Sequence, residues 1–233
     1  MRKPGRITAA LAAMVGAAGL SATFASAASD QVVAVTSTPC CAFSAPSYNL
    51  DTGTVASFAN ADPDVSHDVT AYQQKGPDGK PLFDSGTIKD ATVPVNGTQY
   101  LAPGSYVFFC TIHGFQQMHA TLVVSGSGPP VARPKIDVTV PAQTLAGVRR
   151  SGKVKVKVRA LTASDDVDLA VTKGARRLAS AKGLNLPRGV TRTLRLPLTG
   201  SGRAAVKKGR SAAIAAQGTV PFGKPDTARR TLR

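Results

Sequence analysis

The chain has 233 residues, 29 Lys/Arg against 13 acidic residues for a net charge of +16, and no Trp. That length suits two ordinary domains, while three His and a complete lack of Glu exclude sites built from many imidazoles or from paired glutamates. The charge is divided: residues 28–130 carry three Lys/Arg and eight Asp (net −5), residues 131–233 carry 23 Lys/Arg and five Asp (net +18), and opposite signs point to two functional surfaces.

The chain opens with a basic stretch (Arg2, Lys3, Arg6), an apolar Ala-rich run from Ile7 to Phe24, and small residues at Ala25-Ser26-Ala27. This predicts a signal peptide over 1–27, cleavage after Ala27, and an exported protein. No later segment reaches the roughly 20 apolar residues of a membrane span. In an oxidising compartment, cysteines can be bridged. Of the three present, Cys40 and Cys41 are adjacent and Cys110 stands apart. A Cys40–Cys41 bond is expected, leaving Cys110 free; a reduced pair, a second metal site on the two thiols and an intermolecular bridge are the other readings.

Residues 28–126 alternate as short strands: QVVAV (31–35), TVASFAN (54–60), HDVTAY (67–72), SYVFFC (105–110) and HATLVVS (119–125), separated by DTG, ADPD, GPDGKP, NGT and APG. Such spacing with almost no helical period predicts an all-β sandwich or barrel. SGSGPPVARPK then reads as a linker, over 127–133. Residues 134–233 continue the period of two. KVKVKVRAL (153–161) places Lys153, Lys155, Lys157 and Arg159 on one strand face and valines on the other. GRAAVKKGRSAAIAAQ is ambiguous, and Gly209 favours turn plus strand.

Cys110, His113 and Met118 fall within nine residues, and His67 opens another strand candidate. A thiolate, imidazoles and a thioether suit copper, and two His with one Cys and a weak axial Met is the blue-copper set. Zinc takes the same Cys and His, but thioether is an unusual zinc donor. An isolated Cys on an apolar strand is ordinarily a small core residue; the C-x2-H-x4-M spacing with an upstream His weighs against that. His119 should face away from Met118.

HDV at 67–69, LAPGSYVFFCTIHGFQQM at 101–118 and GTVASFANADPDVSHDV resemble the plastocyanin/azurin group of cupredoxins over residues 30–125. The resemblance implies a Greek-key antiparallel β-sandwich of seven or eight strands. It also implies one type 1 copper per chain, His67, Cys110 and His113 as equatorial ligands, Met118 as axial ligand, and one-electron transfer with a redox partner protein. Asp68 stands where the family commonly has Asn, and His119-Ala120 follow where a small residue such as Gly is usual. His113 is the expected electron exit, and Phe108, Phe109 and Phe115 are expected to shield the cysteine sulfur, with at most one of Phe108 and Phe109 in the core beside Cys110 because they point to opposite faces.

No Ser/His/Asp grouping, HExxH or phosphate-binding Gly loop is present, so an enzyme is not expected. Copper delivery or buffering, and an adhesive envelope protein with structural copper, are the rival functions. Residues 134–233 resemble Ig-like or fibronectin-type modules in strand rhythm. Their cations suit an anionic envelope surface; export and scarce aromatics argue against nucleic acid.

Overall fold

A computed structural model describes residues 31–35 and 41–233. The leader and Cys40 lie outside the described residues. Among the described residues the fold is all-β with two short α-helices, and the buried apolar side chains form two separate cores, one from Val32 to Val124 and one from Ile136 to Leu232.

The first core lies between two four-stranded sheets. One has the order β2-β1-β4-β6, with β1 at Gln31–Val35, β2 at Ala42–Phe43, β4 at Ala56–Asn60 and β6 at Thr92–Val95. The other has the order β3-β8-β7-β5, with β3 at Ser47–Asp51, β5 at Thr70–Ala71, β7 at Gly104–Phe109 and β8 at His119–Ser125. Alternation in the sequence drives this arrangement: Tyr48 and Leu50 of β3, and Ala120, Leu122 and Val124 of β8, point inward between exposed or half-buried neighbours. Phe58, Phe83 and Phe108 are fully buried, and Phe43 meets Phe108 edge-on at 4.8 Å.

Two details differ from expectation. The sheets are mixed, because β1–β4 and β3–β8 are parallel pairs; the chain crosses to the opposite sheet between each pair, as parallel pairing requires. The strand expected over 67–72 shrinks to Thr70–Ala71, since the preceding turns hold His67 only by an isolated bridge to Ile88.

The second core lies between a three-stranded sheet, β13-β10-β9, and a four-stranded sheet, β12-β11-β14-β15, all antiparallel. The strands are β9 (Ile136–Thr139), β10 (Lys153–Ala160), β11 (Ser164–Lys173), β12 (Arg176–Leu186), β13 (Thr191–Pro197), β14 (Ala212–Thr219) and β15 (Asp226–Leu232). Strand β10 buries Val154, Val156, Val158 and Ala160 and exposes its four cations, as the alternation predicts. Helix α1 (Leu145–Ser151) is absent from the sequence reading. Thr144 caps it by accepting from the Gly147 N–H, and Gly152 ends it in the left-handed region. In GRAAVKKGRSAAIAAQ the first half is helix α2 (Gly200–Lys207) rather than turn plus strand. Thr199 caps it through the Gly202 N–H, Val206 is buried, and Gly209 at φ 98° separates it from β14.

The far end of the stretch expected as a linker is tied down. The Val131 N–H donates to Gln99 O at 3.0 Å. The Arg133 guanidinium lies 5.4 Å over the Tyr100 ring and donates to Tyr100 O and Phe222 O. Phe222, whose N–H donates to Asp78 Oδ2 at 2.9 Å, lays its ring on Gly97. A Cβ at Gly97 would sit 2.6 Å from Leu82 O and 2.7 Å from the Phe222 ring, at a backbone φ of +102°. Gly97→Ala is therefore expected to destabilise the protein by more than about 1 kcal/mol. Denaturant unfolding checks this; an unchanged midpoint would contradict the junction described.

Candidate metal centre

The β7–β8 hairpin sets the positions of two donors. Its ladder pairs Phe108 with Ala120 and Phe109 with His119. The next residues outward are Cys110 and Met118, joined by a Cys110 N–H to Met118 O bond of 3.1 Å. Directly opposed residues share a face, and this is the inner one: Cys110 and Met118 are as buried as Phe108 and Ala120. Between them the chain makes two tight turns, Gly114 N–H to Cys110 O and Met118 N–H to Gly114 O. Gly114 takes φ +76° with open space around it, so the backbone conformation favours glycine there. These turns return His113 toward the sulfur, with Nδ1 3.4 Å from Cys110 Sγ.

His67 arrives from the other side of the sandwich end. Its Nδ1 lies 3.8 Å from Cys110 Sγ, and its ring is 4.8 Å from that of His113. The Nε2–H donates to Asp62 Oδ2 at 3.3 Å, which fixes the tautomer and leaves Nδ1 with its lone pair toward the sulfur. Asp62 is held in turn: its Oδ1 accepts from the Asp64 and Val65 N–H groups, and its own N–H donates to Asn60 Oδ1. The donor atoms of His67, Cys110 and His113 all lie within 4.8 Å of one another. Donors held about 2.0–2.3 Å from one ion at trigonal or tetrahedral angles sit about 3.5 Å apart. The 3.4 and 3.8 Å separations fit a small first-row ion without rebuilding.

A second group, Cys41 with Asp62 and His67, also converges. Its sulfur is in a disulfide, so it is not a thiolate donor, whereas Cys110 is a free thiol. The expected pairing of Cys41 with Cys40 involves a residue outside the described set.

Asp68, where the resembled family has Asn, braces the cysteine loop. Its Oδ1 accepts from Thr111 N–H at 2.9 Å and Thr70 Oγ1–H at 3.1 Å; its Oδ2 accepts from Thr111 Oγ1–H and, at 3.5 Å, from Thr87 Oγ1–H. Asp62 carries no sequence signal, being indistinguishable from the turn formers in ADPDVSHD, whereas Asp68 is marked only by its place in the family pattern. His119 faces outward as expected, with Nδ1–H donating to Phe115 O. Phe115 does not shield the sulfur: it is stacked between Tyr72 and His119 on the outer surface, at 4.0 and 4.5 Å. Phe109 packs edge-on against Tyr72, and only Phe108 enters the core beside Cys110. The hairpin register explains this, since Phe109 pairs with outward-facing His119.

No family model and no curated protein matches the chain. Among solved structures it is similar to a purple cupredoxin from Nitrosopumilus maritimus, at 19% identity over 41% of this chain and 98% of that one, with a TM-score of 0.32. It is similar to amicyanin from Paracoccus versutus at 20% identity, over 43% of this chain and 83% of that one, with a TM-score of 0.32. Auracyanin from Roseiflexus castenholzii is 14% identical over 41% of this chain and 95% of that one, with a TM-score of 0.31.

Burial, and then the neighbouring His67, hold the His113 pKa below its ordinary 6.5. The folded apoprotein thus resists protonation there, and the unfolded chain binds more protons between the folded value and 6.5. Stability contributed by this group falls as pH drops through that window. An NMR titration of the apoprotein should give a His113 midpoint below 6.5; a midpoint at or above it would contradict the assigned environment. Asp68→Ala should lower stability by about 1–3 kcal/mol in denaturant unfolding, because it strands the buried Thr70 hydroxyl and removes the acceptor of the Thr111 amide and hydroxyl. Unfolding at the wild-type midpoint would show that Asp68 is not a brace.

Proposed function

We propose that residues 28–126 are a cupredoxin-type domain holding one type 1 copper ion through His67, Cys110 and His113, with Met118 as the axial ligand, and that the protein carries single electrons. The observation carrying this is the donor geometry above: one thiol and two imidazoles at ion-sharing distances, with Cys110 and His67 wholly buried. Copper would supply the one-electron step between its +1 and +2 states. The chain's own residues do the rest. Asp62 holds the His67 proton on Nε2, Asp68 fixes the backbone after Cys110, and Phe108 keeps one side of the thiol dry. A scaffold so braced moves little when the charge at its centre changes.

His113 is the half-buried member of the set, next to exposed Ile112, and is the edge through which a redox partner protein would exchange electrons. We read the chain as exported, with a leader over 1–27, a linker over 127–133 and an Ig-like sandwich over 134–233. Among the described residues no helix is long and apolar enough to cross a membrane.

The copper(II) protein should bind one equivalent and show an intense visible sulfur-to-copper band. Cys110→Ser should abolish it, since a hydroxyl is a far poorer charge donor than a thiolate. An unchanged band in that variant would overturn the assignment. Met118→Leu should retain copper and raise the potential in voltammetry, because a weak axial bond tunes more than it holds. Complete loss of copper from that variant would make Met118 a primary ligand instead.

A further inference from the structure

The five acidic residues of 131–233 all lie toward the end of that sandwich joined to the copper-site unit. Asp165 and Asp166 line the cleft between the two units, and Asp137 pairs with Arg159 near the start of β9. Asp168 accepts from the Gly183 N–H and Asp226 from the Val138 N–H. The opposite end, where α1 and α2 cap the sheets, carries cations only. Two grooves open there on either side of α1, with Ser151 common to both. One, of about 480 Å³, is lined by Lys153, Lys155 and Arg195; the other, of about 530 Å³, by Arg150, Arg203 and Lys207. No carboxylate lines either groove, and among the described residues no Lys or Arg is within salt-bridge distance of a carboxylate.

The groove walls are fixed. Gln143 clamps the Lys155 backbone with both ends of its amide, at 2.8 and 2.9 Å. Arg149 joins α1 to the end of α2 by donating to Val206 O and Gly209 O, both at 2.6 Å. Lys173 donates to Ala205 O at 2.8 Å. These two cations, of which Arg149 also lines the second groove, are engaged by carbonyls; the other six that line the grooves have no such acceptor. Lys155 and Arg195 are direct cross-strand neighbours, an arrangement that repels unless an anion lies between them. A merely solvated face would not require the acids to be segregated to the other end.

We infer that the two grooves together bind one linear polymer of phosphodiester units that carries no bases, laid across the α1 turn. Charge complementarity and the presence of two adjoining grooves favour an extended polyanion over a single small anion. Aromatic content weighs against nucleic acid: Phe222 is the one aromatic residue after position 131, and it is occupied at the junction, so no aromatic ring is available at the grooves to stack on a base. The inference does not depend on the copper reading.

The test uses the full chain and a fluorescent poly(glycerol phosphate) of defined length, followed by anisotropy. With about six phosphates neutralised, the log–log salt slope should be about −4, a loss on the order of 10²-fold between 50 and 200 mM salt. The triple variant Lys153→Gln, Lys155→Gln, Arg195→Gln should weaken binding at least about tenfold and flatten the slope. The pair Arg203→Gln, Lys207→Gln should do the same independently. A control triple removing equal charge elsewhere, Lys182→Gln, Arg188→Gln, Arg192→Gln, should bind like the parent. Equal loss in groove and control variants would overturn the site in favour of diffuse charge. Tighter binding of a single-stranded oligonucleotide with the same phosphate number would overturn the base-free assignment. Binding of phosphatidylglycerol vesicles but not of the polymer would make the surface a membrane contact and overturn the proposal.

Discussion

The carboxylate of Asp68 joins the two stretches of chain on which the donor cluster depends. It is adjacent in sequence to His67, and it accepts from both the amide and the hydroxyl of Thr111, adjacent to Cys110. The two donors come from chain segments 43 residues apart, and this buried oxygen pair holds them in register from the outside. The hairpin then adds the third and fourth positions without further long-range contacts. Pairing continued one step beyond Phe109 and His119 places Cys110 opposite Met118, and two turns bring His113 back to the sulfur. Asp62 acts on the remaining degree of freedom, the choice of which imidazole nitrogen of His67 faces inward.

Much of this was legible in the sequence, for definable reasons. Strands such as HATLVVS and KVKVKVRA announce themselves because a period of two is enforced by one dry face and one wet one. Scarcity made the donor cluster legible: with three Cys and three His in the chain, their gathering has few bland explanations. The rest was hidden by local ambiguity. Helix α2 is built from Gly, Ala, Arg and Lys, whose weak apolar period is outvoted by Gly209, and the Thr199 cap has no partner in sequence to advertise it. Asp62 and Asp68 look alike in ADPDVSHD, yet one orients an imidazole and the other braces a loop. That distinction is set by which strands pass nearby. Phe115 was misplaced because its spacing from Cys110 says nothing about which side of a tight turn it leaves from.

The two sandwiches solve the problem of a small core differently. The first fills its interior with phenylalanines in edge-on contact around a buried thiol and thioether. The second is wholly aliphatic, with Val, Leu, Ile and Ala on every inner face. Its single aromatic side chain is sent outward, where Phe222 covers Gly97 and meets Tyr100 at the junction. The polar groups follow the same division: acids and their amide partners concentrate around the donor cluster and the junction, and cations around the far helices.

The direction of the strands has a geometric consequence. Within the first sandwich the junction contacts of Gly97 and Tyr100 lie by the start of β7, while the donor loop follows its last residue, six residues or about 20 Å farther on. Within the second, β9 leaves the junction at Ile136, and β10 runs from the helix-capped end at Lys153 back toward it, a further eight residues or about 26 Å. The cationic end thus lies one strand length from the junction within the second sandwich, and the donor loop lies at the opposite end of β7 from Gly104 within the first. Whatever occupies the cationic end touches the second sandwich away from the junction, on a different unit from His113, so occupancy there does not cover the imidazole edge.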